Sequence, residues 1–144
     1  EDFHKNLRDY ILPEVLEAHA KGDVKTLTHW MSEAPLSVYA AQQKYYTEQG
    51  LYPDTQILDI RDIDIANSKI LPGDIPVFVI SLRVQEIPIY RNIKDNEISA
   101  GNDSNIMQAA YVVALTRDVE NLHDEVSEGW KVIEFAKGQS RSFV

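Results

Sequence analysis

The sequence predicts an α+β domain in which N-terminal helices pack on the concave face of a strongly curved antiparallel sheet of three to four strands. Apolar residues recur at three- and four-residue steps only within about residues 1–50. From about 55 to 137 the pattern changes to two-residue alternation broken by turn signals. No linker, internal repeat or low-complexity tract separates the halves, so residues 1–144 read as a single domain with a short C-terminal tail. A chain of 144 residues buries roughly two-thirds of its unfolded surface and needs no staple.

From Phe3 onward, Leu7, Tyr10, Ile11, Val15 and Ala18 form one apolar stripe, interrupted by Pro13, which predicts a kink or a new helix start near Leu12. Gly22 ends this helix, and Asp23 caps a second whose Val24, Leu27, Trp30 and Met31 share a side. Ser32, with Pro35 in the first turn, starts a third helix that carries Val38, Tyr39, Ala41, Tyr45 and Tyr46 and stops at Gly50. Tyr52-Pro53-Asp54 turns the chain into strands. Residues 55–69 alternate in part and hold charges suited to guarding an edge. Pro72-Gly73-Asp74 is a hairpin signal. Residues 74–91, with their β-branched and aromatic content, read as one long central strand with Phe78, Ile80, Leu82 and Val84 on one face and Ser81, Arg83 and Gln85 on the other. A polar connection with a short strand at 97–100 leads to a strand over 106–117, where Met107, Ala109, Tyr111, Val113 and Leu115 share a face. The last strand is expected over 130–137, with Ile133 and Phe135 on one side and Val132 and Glu134 on the other.

Composition excludes several functions. The chain has no cysteine, which removes disulfides, thiolate catalysis and Cys-type zinc sites. A net charge of −9 disfavours indiscriminate contact with nucleic acid or anionic lipid, so no nucleic-acid partner is expected. No apolar run approaches the ~18 residues a membrane span needs. The helical pattern is already under way at the first residues, as expected of a piece of a longer protein whose targeting segments lie outside it. His4, His19, His29 and His123 show no metal-ligand spacing, and no metal or cofactor is expected. Neither a phosphate-cradling glycine loop nor a serine elbow occurs.

Helices closing the concave side of such a sheet leave an apolar pocket among Trp30, Tyr39, Phe78, Ile80, Leu82, Tyr111, Val113 and Phe135. The arrangement resembles the nuclear-transport-factor-like cone, whose members include pocket enzymes, small-ligand binders and interaction domains. An enzyme of that kind requires an inward carboxylate beside an inward tyrosine. The carboxylates in view, Asp59, Asp62 and Asp64, read as edge-strand surface charge, and no catalytic residue is assigned. The acidic stretch holding Asp118, Glu120, Asp124, Glu125 and Glu128 reads as a solvated loop, or as a surface that attracts basic, amphipathic polypeptide. Lys131, Lys137 and Arg141, with Lys94, form a candidate basic region for anionic lipid or a partner.

Ile11-Leu-Pro-Glu-Val-Leu-Glu-Ala18, Lys21-Gly-Asp23, Ile57-Leu-Asp-Ile60, Ile75-Pro-Val77, Val84-Gln-Glu-Ile87, Tyr90-Arg91, Leu115-Thr-Arg-Asp118 and Glu128-Gly-Trp-Lys-Val-Ile-Glu-Phe135 together resemble the C-terminal domain of the Tim44 family of mitochondrial inner-membrane translocase subunits, in its fungal form. The likeness covers residues 11–143 in order. It implies a non-enzymatic scaffold, peripheral on the matrix side of the mitochondrial inner membrane. The partners it implies are import-channel subunits, the matrix Hsp70 import motor, the translocating precursor polypeptide and cardiolipin-containing bilayer. It further implies a pocket for a lipid tail or hydrophobic segment. The family's two membrane-docking amphipathic helices and its Hsp70-tethering region precede this domain, and its proposed nucleotide site has no counterpart here. A pocket enzyme or small apolar ligand carrier of the cone fold is the alternative, and a ribosome-associated member of the same domain family is a third.

Overall fold

The computed structural model describes residues 2–142. The chain starts as α1 (Asp2–Asn6), passes through a π-helical turn (Leu7–Ile11) and continues as α2 (Leu12–Lys21). Pro13 accounts for the turn. It has no N–H to donate, and its ring would press on the carbonyl of Asp9 in an uninterrupted α ladder, so the helix widens just before it. The Leu12 N–H accordingly donates to the Leu7 carbonyl. Leu7, Ile11, Leu12, Val15 and Leu16 nevertheless stay on one buried stripe.

Gly22 ends α2 in the left-handed region at φ 74°, where an added Cβ would lie 2.9 Å from Pro53 Cγ. Asp23 then caps α3 (Val24–Trp30), accepting from the Thr26 N–H at 3.1 Å. Helix α4 (Glu33–Glu48) follows. The junction between α3 and α4 is sewn to the far end of the chain, because Met31 makes a parallel bridge to Val132 and the Ser32 N–H donates to the Val132 carbonyl at 3.0 Å.

Among the described residues seven strands follow: β1 (Leu51–Pro53), β2 (Gln56–Leu71), β3 (Ile75–Ile87), β4 (Ile89–Asn92), β5 (Ile98–Gly101), β6 (Met107–Arg117) and β7 (Trp130–Ser142). They form two antiparallel sheets, ordered β2-β3-β6-β7 and β1-β4-β5. The stretch 74–91, expected as one strand, is therefore two strands in different sheets. Pro88 separates them, since it cannot donate to a ladder and ends the pairing of β3. β2 is an edge strand as expected. Its register against β3 shifts at three places, with Asp62 at φ 55°, and such bulges add the twist that curves a sheet.

The last strand departs most from expectation. It runs on to Ser142, and a register shift between Ala114 and Leu115 leaves Ile133 as the extra residue. That bulge places Val132 opposite Leu115 and Phe135 opposite Val113, so both turn inward. Strict alternation had put them on opposite faces.

The core lies between the helices and the inner face of the four-stranded sheet. Trp30 is fully buried at its centre, with Leu27, Ile80, Val84, Val113, Leu115 and Val132. Helix α4 joins this core less completely. Tyr39 is its only fully buried side chain, while Val38 and Tyr45 are 61% and 60% exposed. The helix stands off the sheet on both sides of Tyr39, and the main cavity opens there.

Candidate functional site

A cavity of about 520 Å³ lies between α4, the C-terminal end of α2, β1, the start of β2, β4, the C-terminal end of β3 and the middles of β6 and β7. Tyr39, Tyr46, Tyr90 and Tyr111 contribute phenol rings to its wall, with Leu16 and Ile57 as aliphatic surface. Its polar floor is Glu86 on β3, whose side chain is 2% exposed. The Tyr111 hydroxyl donates to Glu86 Oε1 at 2.7 Å, and Lys137 Nζ donates to Oε2 at 2.8 Å. Tyr111 and Lys137 are cross-strand partners on β6 and β7, and Nζ sits 5.9 Å from the Tyr111 ring centroid. One carboxylate, one phenol and one ammonium thus converge from three neighbouring strands. The charge on Glu86 is matched within the cluster, as a buried carboxylate requires.

His19 forms the next layer. Its ring stacks on Phe135 with centroids 4.3 Å apart and tilts against Tyr39 at 4.6 Å. Burial, reinforced by the positive charge of Lys137, pulls its pKa down to about 4, so the ring is neutral near pH 7. The Tyr39 hydroxyl donates to the His19 carbonyl at 2.6 Å, which fixes α4 to α2. Burial raises the pKa of Tyr39, Tyr90 and Tyr111, with the Glu86 carboxylate adding to the rise at Tyr111. All three remain neutral donors at physiological pH. Beyond Tyr39 lies a shallower groove between α4 and β7, lined by Val38, Pro35, Ile133 and Phe135.

Of the eight residues expected to line an apolar pocket, Tyr39 and Tyr111 line the cavity, and Phe135 lines the neighbouring groove. Trp30, Ile80, Leu82 and Val113 are closed core, because α2 and α3 pack directly on that part of the sheet. Phe78 belongs to an aromatic cluster with Phe3 and Trp130 at the other end of the core. The cavity is also less apolar than expected, because Glu86, His19 and Lys137 reach it. Glu86 went unsingled in the sequence although the two-residue phase of Ile80, Leu82 and Val84 runs on through it. That phase was the available signal.

The four basic candidates do not form one patch. Lys131 donates to the His29 carbonyl at 2.9 Å, whereas Lys137 turns inward to Glu86, because the Ile133 bulge puts the two lysines on opposite faces of β7. Arg141 lies opposite Gln108 on β6, in a depression shared with Arg83 on the outer face. Lys94 is in the turn between β4 and β5. In the acidic loop, Asp118 and Asp124 shape the backbone: Asp118 accepts from the Glu120 N–H, and Asp124 from those of Val126 and Ser127. These bonds, from Val126 above all, lower the pKa of Asp124, which also meets His29 at 3.3 Å. Glu120, Glu125 and Glu128 are exposed. Among the described residues no group of three or more His, Asp or Glu side chains forms a metal site, and no helix is long and apolar enough to cross a membrane.

A curved antiparallel sheet carrying helices on its concave side, with a partly open cavity under one of them, defines this molecule as a cone-type α+β domain. Its sequence is more specific than its shape. The Tim44-like domain profile matches residues 1–137, and the chain belongs to that family. It is 53% identical over 144 residues to the mitochondrial import inner membrane translocase subunit TIM44 of Saccharomyces cerevisiae, and 29% identical over 142 residues to that of Homo sapiens. The Arabidopsis thaliana subunit TIM44-1 is 25% identical over 145 residues. Each comparison takes in 99% of this chain, while the chain spans 33%, 30% and 30% of those relatives.

Proposed function

We propose that this domain is a membrane-peripheral scaffold of the mitochondrial presequence translocase, working on the matrix side of the inner membrane. In this reading it helps to recruit the matrix Hsp70 motor to the import channel, and it contacts channel subunits, cardiolipin-containing bilayer and the translocating precursor. The observation that carries the proposal is the 53% identity, over 99% of the chain, to a protein named as an import translocase subunit. The geometry adds a place for binding. The cavity under α4 combines aromatic walls with a polar floor, which suits a lipid tail or hydrophobic segment that carries a polar group. The incompletely buried α4 supplies a roof that gives way to admit it.

One observation favours a second reading. Glu86 and Tyr111 are an inward carboxylate beside an inward tyrosine, the pair a pocket enzyme or ligand carrier of this fold would use. Against catalysis, Glu86 is already committed to Tyr111 and Lys137, which leaves it without the free partner a general base needs. The scaffold role is tested by placing a photo-crosslinking residue at exposed Val38 or Tyr45 within the full-length protein in isolated mitochondria. Adducts with import-channel subunits or with arrested precursor are expected, and their absence from both positions and from β7 would count against it. Flotation with cardiolipin and neutral vesicles tests the lipid contact separately, with preference for cardiolipin expected.

A further inference from the structure

We infer that the cavity under α4 is a receptor for the basic side chain of a polypeptide: an arginine or lysine whose cationic end exchanges with Lys137 at the Glu86 carboxylate. This rests on the reading above that the cavity takes up a polypeptide segment, and it names which chemistry the cavity selects.

The site already holds such a group. Lys137 is an alkylammonium whose head lies 2.8 Å from Glu86 Oε2 and 5.9 Å from the Tyr111 ring centroid. A carboxylate beside the face of a phenol is how proteins hold ammonium and guanidinium ions, the ring quadrupole adding to the ion pair. Tyr39, Tyr46 and Tyr90 line the same space, so a second cation entering it meets more aromatic surface than Lys137 uses. A guest's aliphatic stem would lie along Leu16 and Ile57.

Exchange is feasible because the two partners of the ion pair are unequally held. The Glu86 side chain is 2% exposed and cannot leave, whereas the Lys137 side chain is 42% exposed and has Glu86 as its only polar partner among the described residues. If Lys137 swings into solvent while a guest cation takes its place, the charge count in the cavity is unchanged. The buried carboxylate is never left unpaired, which would be the costly state. An anionic guest fares differently. It would meet Glu86 directly, and neutral His19 offers it no countercharge. The chain's net charge of −9 and the exposed Glu120, Glu125 and Glu128 favour approach by the same class of partner.

The test uses two short amphipathic peptides, identical except that a central arginine in one is citrulline in the other. Citrulline keeps the size and planar shape of the side chain but removes the charge, with a carbonyl acceptor in place of one amino donor. Binding to the chain is measured by fluorescence anisotropy at about 0.5 M salt, which screens long-range attraction. The arginine peptide is expected to bind about tenfold more tightly. Glu86→Gln should bring that ratio near one, while Asp74→Asn, an equal change in net charge in the exposed turn at the opposite end of β3, should leave it at about ten. Lys137→Met, which removes the resident cation, should raise the ratio in the fraction that urea unfolding shows to be folded, and a lowered ratio there would overturn the inference. Equal affinities for the two peptides, or a ratio that Asp74→Asn lowers as much as Glu86→Gln, would overturn the inference while leaving peptide uptake intact. If neither peptide binds, the polypeptide-receiving cavity itself is wrong.

Discussion

Removing Lys137 should damage the fold more than removing the charge of Glu86, although Lys137 is by far the more exposed of the two. Lys137→Met keeps the length of the stem and deletes the ammonium, leaving a carboxylate whose side chain is 2% exposed with only the Tyr111 hydroxyl as partner. Breaking a buried pair in this way costs about 3–5 kcal/mol. The Lys137 side chain is 42% exposed, so solvent already screens the pair in part, which places the expected loss at the lower end, about 3 kcal/mol. Glu86→Gln is milder. The amide oxygen still accepts from Tyr111, and Lys137, already 42% exposed, turns to solvent, so the loss is that of one exchanged hydrogen bond, about 1 kcal/mol. Combining the two should cost little more than Glu86→Gln alone, giving a coupling of roughly 3 kcal/mol. Urea unfolding followed by fluorescence of the 2 tryptophans measures all four proteins of the cycle. If Lys137→Met costs no more than Glu86→Gln, or if the two losses simply add, the buried carboxylate does not depend on Lys137 and the electrostatic account of the cavity fails.

Three further outcomes follow from separate parts of the fold. His19 has its folded pKa lowered from 6.5 to about 4 by burial and by Lys137, while Glu86, Tyr39 and Tyr111 face it without reversing the shift. The unfolded chain therefore takes up the proton first, so this contribution is intact above about pH 6.5 and is lost as pH falls toward 4. It amounts to about 3 kcal/mol at 1.4 kcal/mol per pH unit, and His19→Asn should flatten that part of the stability profile. Gly101→Ala should cost more than about 2 kcal/mol in thermal or urea unfolding, since the position has φ 83° and a Cβ there would meet the Pro88 carbonyl oxygen at 2.3 Å, backbone against backbone. Asp54→Ala should cost about 1–3 kcal/mol, because Asp54 accepts from Lys21 at 2.8 Å and from Arg91 at 2.6 Å and so ties α2 to β4. Those two bonds, Lys21 first, lower the Asp54 pKa, so the wild-type advantage should persist above pH 4 and fade below it; an unchanged difference at pH 3 would sink this account.

How far the sequence reveals this molecule depends on whether a feature is set by local chemistry or by register. Helix ends at Gly22 and Asp23, the break before Pro13, the hairpin at 72–74 and the inward face of β6 all follow from residues adjacent in the chain, and the sequence shows them. Pro88 is local too, yet the β-branched run around it conceals the change of sheet until the pairing of Tyr90 with Tyr52's neighbour Pro53 is seen. The Ile133 bulge has no such marker. It inverts the last strand, and through that one residue decides that Lys137 faces the cavity while Lys131 faces away.

The same bulge explains why the site was harder to see than the fold. Without it, Phe135 and Lys137 would share a side with Lys131, opposite Val132, so with Val132 held inward beside Met31 no carboxylate, phenol and ammonium would meet under α4. Glu86 carries the inward phase of β3 one step past its apolar run, and a glutamate does not by its residue type signal burial. Only a lysine and a tyrosine delivered by two other strands make its burial tolerable. The cavity is therefore specified by three strand registers acting together, and a change that restores regular alternation in β7, such as deletion of Ile133, should abolish it. Such a variant should expose Phe135 and lose the stability coupling between Glu86 and Lys137; a coupling that survives the deletion would show that Lys137 reaches Glu86 by some route other than the bulge.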